Sequence, residues 1–61
     1  MDIFTAKTLI KNKAIEAGYP NVPTMGLMLE IVAELELKGE ISAQEEEDLQ
    51  DWVDDLFFPK N

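Results

Sequence analysis

A chain of 61 residues with 46% hydrophobic and 30% charged side chains has room for one domain and one thin core, and it is too apolar for a disordered segment even at a formal net charge of -8. Histidine and cysteine are both absent, which removes Ser-His and Cys-His nucleophilic catalysis, thiolate metal sites and disulfides together. No basic-then-apolar leader pattern, no lipidation motif and no apolar run near the ~18 residues of a membrane span is found, so a cytoplasmic protein without membrane contact is expected.

The first helical segment is expected from about Ile3 to Ala17. Asp2 or Thr5 suits its start, and Gly18, Tyr19 and Pro20 stop it, because glycine accepts the left-handed conformation past a helix end and proline cannot continue the helix. Ile3, Ala6, Ile10, Ala14 and Ala17 share one face, while Phe4 and Ile15 lie on another, a two-sided pattern that suits an interface. Tyr19-Pro20-Asn21-Val22-Pro23 then reads as a short stiff connector, since each proline fixes its own φ and pushes the preceding residue toward extended backbone.

Thr24 or Asn21 is expected to cap a second helix over about Met25 to Lys38. Met25, Met28, Leu29, Ile31, Val32 and Leu35 form its broad apolar face opposite Glu30 and Glu34, which makes it the central element. Leu27 and Leu37 fall at the flanks. Lys38-Gly39 ends this helix, and Ser42-Ala43-Gln44-Glu45 opens the next as a capping box, with Ile41 placed as a partial hydrophobic staple. The third helix, about Ala43 to Phe58, carries Leu49, Trp52, Val53, Leu56 and Phe57 on one stripe and ends before Pro59. Trp52 and the methionines Met25 and Met28 read as core. The expected architecture is all-α, a small three-helix bundle made of a helical hairpin plus one further helix, in a single acidic domain over residues 1–61.

Charge is divided unevenly along the chain. Residues 1–29 set Lys7, Lys11 and Lys13 against Asp2 and Glu16, whereas residues 30–61 hold eleven carboxylates against Lys38 and Lys60. A lysine nucleophile needs a desolvated amine, and these lysines read as surface residues; paired carboxylates need a pocket that desolvates one of them, which so small a bundle seldom encloses. No catalytic residue, no metal ligand and no cofactor is therefore expected.

The third helix concentrates the charge in Glu45, Glu46, Glu47, Asp48, Asp51, Asp54 and Asp55. Along a helix these seven give about one negative charge per ~2 Å, close to the one per ~1.7 Å of duplex DNA. Such a face repels nucleic acid and anionic membranes and suits a basic protein surface. The expected function is a non-enzymatic protein-binding module, a small regulator or inhibitor, with Glu46, Glu47, Asp48, Asp51, Asp54 and Asp55 meeting the partner, in the manner of nucleic-acid mimics from phages and mobile elements. Asp54 and Asp55 sit where the helix dipole penalises anions, which argues for a reason other than stability.

Two further readings accompany this one. A scaffold of this size without disulfides often gains stability by self-association, and the two-sided first helix with Leu27 and Leu37 suits a homo-oligomer. The Gly39-x-Ile41-Ser42-x-x-Glu45 hinge looks like that of short helical-hairpin oligomerisation domains. Finally, Glu34 to Glu45 is similar in outline to an EF-hand loop, with Gly39, Ile41 and Glu45 at its sixth, eighth and twelfth positions, implying a calcium site. It departs from that loop at Glu34, Glu36 and Lys38, where aspartates and an oxygen ligand belong.

Overall fold

Three helices form where the chain's own caps and breakers place them: α1 over Ile3–Ala17, α2 over Val22–Leu37 and α3 over Ala43–Phe57. The computed structural model describes residues 1–59, with Val22 by its backbone alone; Lys60, which entered the charge count, and Asn61 lie outside the described residues. The architecture is an all-α three-helix bundle, with α2 packed against both of its neighbours and α1 and α3 touching each other more sparingly.

The Asp2 side chain caps α1, its Oδ1 accepting from the Thr5 N–H at 2.8 Å and its Oδ2 from the Thr5 hydroxyl at 3.1 Å. Of the two caps considered, Thr5 is thus the donor and Asp2 the acceptor. Past the last turn, Gly18 takes φ 106°, its N–H donates to the Ile15 carbonyl, and the Tyr19 N–H donates to the Ala14 carbonyl. This is the Schellman arrangement, which satisfies carbonyls that would otherwise lack partners at a helix end. It recurs at the end of α2, where Gly39 has φ 76°, its N–H reaches Glu36 and that of Glu40 reaches Leu35. One local device closes both helices.

The connector is shorter than the sequence suggests. α2 begins at Val22, with Pro23 inside its first turn, where expectation put the start near Met25. A proline costs a helix only where its N–H is needed, and the first-turn N–H groups have no partner within the helix. Thr24 is consequently a buried helical residue and no cap, and Asn21 occupies the cap position without a side-chain bond to α2. The Asn21 side chain turns back instead, its Nδ2 donating to the Gly18 carbonyl at 2.7 Å. The Tyr19-Pro20 peptide bond is cis.

The core gathers Ala6, Ile10 and Ala14 of α1, Met28, Ile31, Val32 and Leu35 of α2, Ile41 of the turn, and Leu49 and Val53 of α3. Ile41 is buried, as its position just before the capping box suggests. Ala17, expected on the buried face of α1, is exposed, and Ile3 is half-buried, because the covered stretch of α1 runs from Ala6 to Ala14 and the ends project past it. Leu37 is left 83% exposed, while Leu27 packs in part against the core. Trp52, Leu56 and Phe57 line the margin of the core and are not sealed within it.

Candidate functional site

Helix α3 is built to hold an orientation. The Ser42 Oγ accepts from the Glu45 N–H at 3.1 Å, the Glu45 Oε1 accepts from the Ser42 N–H at 2.8 Å, and Leu49 and Val53 anchor the helix with no exposure. At about 100° per residue, anchoring that stripe fixes where every other side chain of the helix points. Glu47, Asp48, Asp51, Asp54 and Asp55 are exposed and fall within an arc of about 120° on the outer side. Their Cα atoms span about 12 Å along the axis. The Gln44 Nε2 donates to the Asp48 Oδ1 at 3.1 Å, which ties one member of the ridge to its own helix.

Two of the seven acids of α3 depart from this ridge. Glu45 is half-buried and committed to the capping box. Glu46, counted among the expected contact residues, is half-buried on the side of Val53, about 140° from the centre of the arc. Five carboxylates over about 12 Å give one charge per ~2.4 Å, sparser than the spacing of duplex DNA. The ridge ends near Phe58, which is 64% exposed.

The segment with the outline of a calcium loop adopts a different geometry. Glu34 and Glu36 belong to α2, Lys38 and Gly39 form its closing turn, and the Glu45 carboxylate faces the Ser42 N–H. Among the described residues, no three acidic side chains converge as cation ligands.

A second surface emerges where α1 meets α3. The Lys7 Nζ sits 5.7 Å above the Trp52 ring and the Lys11 Nζ 5.7 Å above the Tyr19 ring, within the range of cation–π attraction. Beside them runs a groove of about 270 Å³ lined by Lys7, Thr8, Lys11, Asn12, Ile15 and Trp52. Phe4 is 79% and Ile15 59% exposed, so the second apolar side of α1 stands uncovered. Its signal in the sequence is the spacing Phe4, Thr8, Lys11, Ile15, which repeats at four, three and four residues and places all four on one stripe. The lysines' aromatic partners could not be inferred from it, because they lie far along the chain or across a turn.

The Asp2 carboxyl binds protons less readily than a free one. The Thr5 N–H, and after it the Thr5 hydroxyl, hold its carboxyl below the usual value of 3.8. Nearby, the Met1 ammonium donates to the Glu40 carbonyl at 2.9 Å, which fastens the start of the chain to the turn between α2 and α3. No described helix is long and apolar enough to cross a membrane. Comparison with protein-family models, with curated proteins and with solved structures yields no match to this chain.

Proposed function

We propose that the protein is a non-enzymatic binding module that presents the outer side of α3 to a basic surface on another protein, as a small regulator or inhibitor. The observation that carries this reading is the ridge of Glu47, Asp48, Asp51, Asp54 and Asp55, displayed on one side of a helix whose opposite side is anchored in the core. Like charges at i, i+3 and i+4 repel one another by a few tenths of a kcal/mol per pair, and no basic residue occupies the last turn of α3 to offset the helix dipole. The ridge therefore costs the free protein stability, and a cationic partner would relieve that repulsion. Phe58, exposed near the end of the ridge, supplies an apolar contact of the kind that dominates protein interfaces. A basic groove on another protein is the partner class that this charge pattern suits, although at one charge per ~2.4 Å the ridge imitates duplex DNA less closely than all seven acids would.

The test is affinity capture from the host with the whole chain and with an Asp51→Asn, Asp54→Asn, Asp55→Asn variant, each eluted by a salt gradient. A basic protein retained by the wild type, released as salt rises and lost by the variant supports the reading. Retention of the same proteins by both forms, at every salt concentration, sinks it.

A further inference from the structure

We propose that the face shared by α1 and α3 is a self-complementary interface through which two copies of this chain pair about a two-fold axis. Its two halves carry opposite charge. On the α1 side stand Lys7 and Lys11, with Thr8 and the exposed Ile15 between and beyond them. On the α3 side stand Asp48 and Asp55, both exposed, which flank Trp52 as its i−4 and i+3 neighbours. Lys7 over the Trp52 ring shows that the two halves adjoin, and the groove between them is apolar at Ile15 and Trp52.

A two-fold rotation about the seam lays the α1 half of one copy on the α3 half of the other, and the reverse contact follows by symmetry. Lysines then meet aspartates twice, and Ile15 and Trp52 of both copies close over the axis. An interface of α1 on α1 would set Lys7 and Lys11 against the same lysines, and one of α3 on α3 would oppose two acidic surfaces. The charge division therefore selects the crossed arrangement and a second copy as its occupant. The pair takes Asp48 and Asp55 from the edge of the acidic ridge that borders Trp52, while Glu47, Asp51 and Asp54 point away from Trp52 and stay free.

The whole chain is examined by sedimentation equilibrium up to about 1 mM, at about 0.15 M ionic strength, where the Debye length of about 8 Å screens the overall repulsion between two copies carrying -8 each. A monomer–dimer equilibrium is expected. Two charge-reversed chains, Lys7→Glu with Lys11→Glu and Asp48→Lys with Asp55→Lys, should each be monomeric, and their equimolar mixture should dimerise at least about tenfold more tightly than either alone. The second variant is four units less negative than the wild type, so net charge alone makes it associate more strongly; that result would overturn the proposal. So would a wild type that stays monomeric throughout, variants that dimerise as the wild type does, or a mixture that behaves as its components.

Circular dichroism establishes that each variant is folded. The wild type supplies an arm that needs no substitution: the Trp52 indole N–H resonance should move on dilution in step with the dimer fraction. Dimerisation that leaves that resonance still would assign the contact to another face and refute this one.

Discussion

Tyr19 and Phe57 meet edge to face, ring centroids 5.6 Å apart and planes at 78°, and so join the turn after α1 to the last residue of α3. α3 packs chiefly on α2 and only sparingly on α1, so this pair adds a link where the helices share least. Phe57→Ala is expected to cost about 1 to 2 kcal/mol, since the ring is half-buried and loses both its apolar burial and its aromatic partner. A double-mutant cycle of Tyr19→Leu and Phe57→Leu in urea unfolding should return a coupling of about 0.5 to 1.5 kcal/mol. Strictly additive effects would mean that the two rings touch without stabilising each other.

Gly18 and Gly26 should respond to alanine in opposite ways. Gly18 sits at φ 106°, where a Cβ would also come within 3.3 Å of the Asn21 Nδ2, so Gly18→Ala is expected to destabilise by about 1 to 2 kcal/mol. Gly26 lies in the interior of α2, with nothing within 4 Å of a built Cβ, and Gly26→Ala should stabilise by about 0.5 to 1 kcal/mol. At roughly 4 to 8 °C per kcal/mol for a domain of this size, thermal melts separate the two outcomes plainly. Stabilisation by Gly18→Ala would overturn the left-handed assignment at Gly18, and destabilisation by Gly26→Ala the open helical one at Gly26.

Asp2 makes the acid limb of stability predictable in sign. Its carboxyl binds protons less readily folded than unfolded, so its contribution is fully present above the unfolded value near 3.8 and is lost as pH falls through the lower folded value. Asp2→Ala should lower the melting temperature at neutral pH and cost less at acid pH, as the native cap takes up its proton. An equal loss at both pH values would place the effect elsewhere than in the ionised cap.

Asp54 and Asp55 are expected to trade stability against binding. Replacing either by asparagine should stabilise the free chain by about 0.3 to 1 kcal/mol, through relief of unfavourable interaction with the negative end of α3. Salt near 1 M, with a Debye length of about 3 Å, should stabilise the wild type and reduce the difference between it and the variants. Urea midpoints at low and high salt provide the check. If both substitutions lower stability, the ridge is a structural support and carries no cost for the free chain.

Local chemistry was legible in the chain from the outset. The bounds of α1, the capping box of α3, the two glycine stops and the central place of α2 all follow from residues within about one turn of each other, because caps, left-handed glycines and helical periodicity act over that range. The outward placement of Glu47, Asp48, Asp51, Asp54 and Asp55 was legible for the same reason: it is the complement of the stripe Leu49, Val53 and Leu56.

Tertiary structure decided what periodicity leaves open, namely how much of each apolar stripe a neighbour covers. Trp52 is at the margin of the core with Lys7 of α1 over its ring, a meeting of residues 45 positions apart that no local pattern encodes. Ala17 is exposed and Glu46 half-buried because coverage depends on where the adjoining helices lie, which the helix bearing these residues does not determine. Pro23 entered α2 because the cost of a proline depends on which N–H groups already have partners, and that is fixed only when the helix begins. The joined face of α1 and α3, with its divided charge, exists only once two distant segments have been brought together by burial of the residues between them.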